Sequence, residues 1–342
     1  MTESITIALD VMGGDHGPDV VLPAALRALA RHDDLTLLLV GDQQAIAAGL
    51  ERLGAADNSR ISIQHASQRV EMNELASHAL RFKKDSSMRV ALNMVKEGRA
   101  QACVSAGNTG ALMATARYVL KTIPGIDRPA ICTSLPTMTG HTWMLDLGAN
   151  VDSSPEHLFQ FALMGSVLAK AVDDNASPKV GLLNIGEEEI KGNDTVKEAA
   201  VLLAAGPMNY IGYIEGNDVY GGHVDVVVCD GFVGNIALKT SEGVARMISQ
   251  FIRQGFNKNL FTRIAGLLAL PVLNSFRKQI DPRRYNGASL LGLRGTVIKS
   301  HGSADELAFA NAVQVAATVV RQQVPERIGS QVQSILAARQ AV

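Results

Sequence analysis

Along most of this chain, short apolar runs rich in β-branched residues alternate with segments of helical period, and that alternation narrows the fold more than any other feature. Strand-like runs occupy Ile5–Asp10, Leu35–Val40, Ile61–His65, Ala102–Ser105, Ile131–Leu135, Trp143–Leu147, Lys179–Ile185, Tyr210–Ile214 and Val224–Cys229. Helical patterns fall at Asp19–Ala30, Asp42–Leu53, Met88–Glu97, Thr109–Lys121, Pro155–Val172, Thr195–Ala205 and Gly234–Arg253. Near-continuous apolar strands separated by helices mark βαβ units and a mostly parallel sheet. The expected fold class is therefore α/β. With 342 residues, 47% of them apolar, the chain can bury a large core. It reads as a single domain over 1–342, the polar stretch Asp173–Pro178 being the candidate lobe boundary.

The strand ends carry the second regularity. Asp10 runs into Met12-Gly13-Gly14-Asp15-His16-Gly17, Val104 into Ser105-Ala106-Gly107-Asn108-Thr109-Gly110, and Leu145 into Asp146-Leu147-Gly148-Ala149-Asn150. Leu183 leads to Asn184-Ile185-Gly186-Glu187, and Val228 to Cys229-Asp230-Gly231-Phe232-Val233-Gly234-Asn235. In open α/β sheets, ligands bind beyond the carboxyl ends of strands, where helix amino termini offer unpaired N–H groups. Each turn alone serves chain reversal; five at one edge predict a ligand cleft. Asn108 or Thr109 is equally readable as the N-cap of the helix that follows.

Nucleotide fingerprints and common hydrolase motifs are missing: there is no G-x-G, P-loop, H-E-x-x-H or G-x-S-x-G. No His/Cys/Asp/Glu set has metal-ligand spacing, and no cofactor is expected. Cys103, Cys132 and Cys229 are odd in number, far apart and embedded in apolar runs, which reads as buried small hydrophobes in an intracellular chain. What remains suits a small anion. Lys191, between Gly186 and Gly192-Asn193 and beside the solvated run Glu187-Glu188-Glu189, can act as a point charge on phosphate or an oxyanion. His16 and His301 sit in turn sequences where they can carry protons.

Leu9-Asp10-Val11-Met12-Gly13-Gly14-Asp15-His16-Gly17-Pro18 resembles the N-terminal signature of the bacterial phosphate acyltransferases (the PlsX family). The resemblance continues in order through Ser105–Ala111, Arg128-Pro129-Ala130, Asp146–Asp152, Asn184–Asn193, Asp230–Asn235, Ala288–Gly292 and Lys299–Asp305. It implies transfer of a fatty acyl group from acyl carrier protein to inorganic phosphate, giving acyl phosphate for a downstream membrane glycerol-3-phosphate acyltransferase in phospholipid synthesis. It also implies a homodimer with an α/β/α sandwich fold similar to isopropylmalate dehydrogenases and phosphotransacetylases. A thioester is already activated and phosphate is a competent nucleophile, so the reaction needs orientation and oxyanion donors rather than a covalent protein nucleophile. On this resemblance Lys191 and Asn235 lead as catalytic residues, with His16 and His301 as protonating candidates. Asp10, Gly13, Gly14, Asp15, Ser105, Gly107, Asn108, Thr109, Asp146, Asn150 and Asn193 are the candidate substrate and phosphate contacts. A CoA-dependent phosphotransacetylase and a non-catalytic lipid- or carrier-binding scaffold are the competing readings, with a nicotinamide dehydrogenase of similar fold a more distant third.

The formal charge, 32 Lys+Arg against 33 Asp+Glu, looks neutral and argues against a nucleic-acid-coating protein, as does an aromatic content of 4%. The neutrality is a cancellation. Between Gly243 and Ala304 stand Arg246, Arg253, Lys258, Arg263, Arg277, Lys278, Arg283, Arg284, Arg294 and Lys299 against Asp281 alone. Within that region Leu260, Phe261, Ile264, Leu267, Leu268, Val272 and Leu273 recur at helical spacing, with Pro271 expected to split two short helices. A basic, amphipathic extension over residues 256–286 fits anionic lipid or acidic carrier protein, with Arg263, Leu267, Leu268, Arg277 and Lys278 as contacts. A hairpin at a dimer interface fits it equally. Ile264–Phe276 is too short to span a bilayer, and the N-terminal residues lack a signal-peptide pattern. The expected location is the cytoplasm, peripherally bound at the inner membrane face.

Overall fold

The computed structural model describes residues 4–340, without the side chains of 277–280, 282, 336 and 338–340. In chain order the elements are β1 (Ile5–Asp10), α1 (Pro18–Arg31), β2 (Leu35–Gly41), α2 (Gln43–Arg52), β3 (Ile61–His65), α3 (Ala76–Phe82), α4 (Ser87–Lys96), β4 (Ala102–Ser105) and α5 (Thr109–Leu120). There follow β5 (Ala130–Pro136), β6 (His141–Leu145), α6 (Pro155–Val172), β7 (Lys179–Leu183), α7 (Asp194–Ala204), β8 (Asn209–Ile214), β9 (Val226–Val228) and α8 (Gly231–Asn257). The chain closes with α9 (Leu260–Leu268), α10 (Leu270–Ile280), β10 (Ala288–Leu291), β11 (Thr296–Lys299), α11 (Glu306–Arg321) and α12 (Val324–Gln340).

Among the described residues the strands form one sheet, ordered β3-β2-β1-β4-β11-β10-β5-β6-β9-β7-β8. Burial on both faces follows from the near-continuous apolar strands: β1 is buried at five of its six residues rather than alternating. One apolar layer holds α1, α2, α6, α7, α11 and α12 on one face; a second holds α3, α4, α5 and the start of α8 on the other. The expected α/β/α sandwich is present.

The sheet departs from simple parallel order at its middle. β10 runs antiparallel to both β11 and β5, and β5 runs antiparallel to β6. The outer groups, β3-β2-β1-β4-β11 and β6-β9-β7-β8, are each parallel but point in opposite directions. Asp173–Pro178, the expected boundary stretch, links α6 to β7 within this one sheet.

Register decides what this does to the turns. Asp10, Ser105 and Lys299 stand side by side at the carboxyl ends of β1, β4 and β11. Lys299 pairs with Ala288, next to Ser289; Ser289 pairs with Cys132, Cys132 with Leu145, and Leu145 with Val228. Both groups of strands thus end within one residue of a common line across the sheet, arriving from opposite sides. The Gly/Asn/Asp turns do not share one sheet edge, as a parallel sheet would have placed them, but they meet along this line. Lys299 and Leu145 are three strand spacings apart, about 14 Å.

The helices α9 and α10 form the basic hairpin. Its break falls at Ala269, the C-cap of α9, and Pro271 takes the second position of α10, where its missing N–H costs nothing. Gly266 packs on Phe256 of α8, whereas Leu260, Phe261, Ile264, Leu267, Leu268 and Val272 are exposed. Arg263 lies on this hairpin. Arg277 and Lys278 fall among the side chains outside the description.

Candidate active site

On the β1–β4–β11 side, three adjacent strands end in polar residues after apolar runs. Side chains alternate along a strand, and Ala8, Cys103 and Val297 belong to the layer under α4 and α5. Asp10, Ser105 and Lys299, two residues further on, therefore project toward the same helices. Asp10 is 1% exposed and Ser105 fully buried. Asp10 Oδ1 accepts from Ser87 Oγ at 2.5 Å, Oδ2 accepts from Ser105 Oγ at 2.6 Å, and Ser105 Oγ in turn accepts from Gly107 N at 3.1 Å. Burial pushes the Asp10 carboxyl above its usual range, against the pull of hydrogen bonds from Ser105, Ser87, Met12 and Gly13. A carboxylate so enclosed organises the turns around it.

Lys299, 8% exposed, donates to the carbonyls of Ala106 and Ser300, tying the turn after β4 to the turn after β11. Burial lowers its pKa to about 8, although Asp10 and Asp15 draw it upward. The loop after β1 joins the same cluster. Asp15 N donates to Gly302 O at 2.9 Å, Gly13 packs on Asp10 and Gly107, and Gly14 packs on Ala106 and Gly302. His16, His301 and Thr109 are exposed around this cluster. His301 Nδ1 accepts from Ser303 N at 3.2 Å, which in the neutral ring leaves the proton on Nε2. Asn286 holds that turn by accepting from His301 N and donating to Ser300 Oγ.

Asn108 does cap α5, accepting from Ala111 N at 3.0 Å. Its amide nitrogen donates to Met72 O and Glu74 O, fixing the segment before α3. Asn193 likewise caps α7. For both, the capping alternative accounts for the side-chain oxygen.

From the opposite side, the turns after β6, β7 and β9 contribute a second group. Asp146 is fully buried: Oδ1 accepts from Ile131 N and Ala149 N, and Oδ2 from Asn150 N and Asn150 Nδ2. Burial again raises the carboxyl against these bonds. Asn150 also donates to Pro129 O. Asp146 and Asn150 thus make a scaffold for the turn, and the amino end of α8, capped by Asp230, lies on it. Asn235 sits half-buried in that first stretch of α8, beside Gly148. Among the described residues, no protein group hydrogen-bonds its side-chain amide. Lys191 is exposed after β7, with no ion pair among the described residues, beside the exposed Glu187, Glu188 and Glu189. All three cysteines are buried and unbridged, and burial pushes their thiols well up, so none is poised as a nucleophile. No group of acids, histidines and cysteines fit for a metal occurs among the described residues.

Sequence reading missed three members of this arrangement: Lys299, Ser87 and Asn286. For Lys299 a signal existed, since it follows the short apolar run Val297-Ile298 much as Asp10 and Ser105 follow theirs. Ser87 and Asn286 are brought in by tertiary packing alone.

The fold is shared with phosphotransacetylases of known structure. A phosphotransacetylase from Streptococcus pyogenes superposes with a TM-score of 0.63 at 18% identity, covering 94% of each chain. EutD phosphotransacetylase from Staphylococcus aureus gives 0.61 at 18%, covering 93% of this chain and 94% of its own. At that identity the likeness shows the fold alone. Sequence narrows it further: residues 5–327 match the family model described as fatty acid synthesis protein. A phosphate acyltransferase of Alkalilimnicola ehrlichii is 62% identical over 341 residues, all of both chains, and one of Legionella pneumophila is 58% identical over 335 residues, 98% of each. The chain belongs to the phosphate acyltransferase family.

Proposed function

We propose that this protein transfers a long-chain acyl group from the thioester of acyl carrier protein to inorganic phosphate. Hydrogen phosphate attacks the thioester carbonyl directly, the tetrahedral intermediate expels the thiolate, and the proton brought by phosphate ends on sulfur. Acyl phosphate and free carrier thiol are the products, and no covalent enzyme intermediate forms. The observation that carries this reading is membership of the family, joined to a site whose polar groups are donors and cations rather than an activated nucleophile. Lys191 and Asn235 present an unpaired ammonium and an unpaired amide, the donors that a developing oxyanion and a phosphate require. Protonation of the departing thiolate falls in this reading to His16 or His301, both exposed beside the Asp10–Ser105–Lys299 cluster.

Purified protein given long-chain acyl carrier protein and phosphate is expected to yield acyl phosphate, trapped as a hydroxamate by hydroxylamine. Product formed without phosphate overturns the reading. Faster turnover of acetyl-CoA favours a phosphotransacetylase, and carrier binding with no product favours a scaffold.

The exposed apolar face of the α9–α10 hairpin supports a long-chain substrate and peripheral contact with the cytoplasmic face of an anionic membrane. No helix among the described residues is long and apolar enough to cross a bilayer. The exposed Val244, Met247, Ile248 and Phe251 on α8 support a homodimer in which a second copy covers that helix, bringing two hairpins together. The acyl phosphate then passes to a membrane glycerol-3-phosphate acyltransferase. Changing both Leu267 and Leu268 to Glu is expected to weaken flotation with anionic vesicles at least tenfold, since each buried leucine is worth about 1.5–3 kcal/mol. Unchanged flotation would remove the membrane from the proposal.

A further inference from the structure

We propose that Lys299 is a positioning residue for the phosphate subsite, its buried charge holding the turns after β4 and β11 together and setting the affinity of that subsite for the phosphate dianion. This rests on the acyl-transfer reading above and goes beyond it by naming a residue that touches neither thioester nor leaving group.

The geometry is specific. Lys299 is the third member of a row, with Asp10 and Ser105, at one register on three adjacent strands. Its ammonium donates to Ala106 O and Ser300 O, one carbonyl from each turn. Of the two turns it joins, one leads into α5 and the other bears His301, and the Asp15 loop with His16 closes on them through Gly302. A lysine that only neutralised a buried acid would be ion-paired with it. Yet no carboxylate lies within ion-pair distance of Lys299 among the described residues, and Asp10 spends its oxygens on two serine hydroxyls. The positive charge is thus left in the cluster, uncompensated by a carboxylate contact, between the two turns it joins. In a buried setting such a charge is screened far less than a surface lysine.

Several groups share this environment. Asp10 on β1 and Asp15 on the following loop draw the ammonium toward protonation. The Cys103 thiol of β4 is held up by burial and by Asp10. Helix α4 contributes the Ser87 hydroxyl, β10 contributes Ala288, which carries no charge, and His16 and His301 lie on the flanking turns. Burial outweighs the acids and brings the Lys299 pKa to about 8, so its charge is lost within a testable range. The charged form is the one that holds phosphate, and affinity falls as pH rises through that value.

The test measures phosphate in two ways between pH 7 and 9: KM for phosphate in acyl transfer, and equilibrium binding of inorganic phosphate by calorimetry, both expressed per dianion. For the unmodified protein each constant is expected to rise about tenfold across this range, the change in protonated fraction of a group with a pKa near 8. Lys299→Arg keeps its charge and is expected to give a flat profile at the low-pH affinity. Lys299→Met is expected to give a flat profile at the weak limit, with kcat changed far less than KM. The three proteins differ at residue 299 alone, so every other contribution to the profile cancels in the comparison. If Lys299→Met does not fold, the unmodified profile against that of Lys299→Arg still decides. Profiles for the unmodified and Arg proteins that superimpose, whether both flat or both rising, overturn the proposal. Absence of acyl transfer with calorimetric binding that follows the profile would sink the acyl-transfer reading and leave the Lys299 assignment standing.

Discussion

Replacing Gly234 with alanine is expected to destabilise the protein by about 3 kcal/mol or more and to remove most of its activity. The first turn of α8 rests on the turn after β6 with no room between them. An added Cβ at Gly234 would lie 1.9 Å from the carbonyl oxygen of Asp146 and 2.9 Å from Cys229 Sγ. That oxygen belongs to a turn locked by four hydrogen bonds to the Asp146 carboxylate, so the helix must move, by about 1 Å, rather than the turn. Asn235 is the next residue and moves with it. A displacement of about 1 Å in a positioning group typically costs on the order of a hundredfold in rate. Gly243, in the same helix, makes the control: an added Cβ there meets nothing within 4 Å in the protomer. Gly243→Ala is expected to be stabilising by about 0.5–1 kcal/mol, because alanine loses less backbone entropy in a helix. Thermal unfolding and acyl phosphate formation measured on both variants check this. A Gly234→Ala protein that melts and turns over like the unmodified one would show the contact is not as drawn. A loss of stability at Gly243 would instead reveal a partner packed on α8.

The contrast between these two glycines also marks what a sequence can disclose. Both are simply glycines in a helical pattern; only the packing of α8 on the Asp146 turn separates them. Periodicity found most of the strands and the longer helices, because burial on both faces imposes near-continuous apolar runs that survive as a pattern. It did not find β10 and β11, which are four residues each. The direction of the outer groups reverses at β5–β6, since β11 and β5 are both antiparallel to β10 and therefore parallel to each other. Both strands of that pair were legible but their antiparallel pairing was not, so the turns seemed to share one edge, although they approach a common line from two sides. The polar residues of the site were legible for the same reason the turns were: Asp10, Ser105 and Asp146 interrupt apolar runs. Their roles were not. A buried Asp that accepts four hydrogen bonds and an exposed Asp that meets solvent look alike in a sequence, and Asp146 and Asp15 stand at those extremes. Asn108 reads as a ligand contact or a cap and Asn193 as a ligand contact, and the helices that follow them take both side-chain oxygens.

The same distinction sets the second large effect, at Lys191 and Asn235. Residues that organise a turn and residues that act on substrate differ in what their removal does to the fold. The Asn235 amide and the Lys191 ammonium have no protein partner among the described residues, so their loss leaves no protein hydrogen bond or ion pair broken. Asn235 packs beside Gly148, whose φ of 115° is one that residues with a Cβ rarely adopt; a Cβ there would meet Asn235 Cβ at an ordinary 3.4 Å. Asn235→Ala and Lys191→Ala are therefore each expected to lower kcat by about 10²–10³, the usual loss for one oxyanion donor, with melting temperature unchanged. Lys191→Arg is expected to recover part of the loss, because charge is retained while the position of the donors shifts. Combining the two alanine changes tests whether the pair serves one transition state. Residues acting together on one charge are not additive, so the double variant should fall well short of the product of the single losses. Fully multiplicative losses would place the two groups on separate steps. Single variants within threefold of the unmodified rate would move the chemistry across the sheet to the cluster around His16, His301 and Lys299.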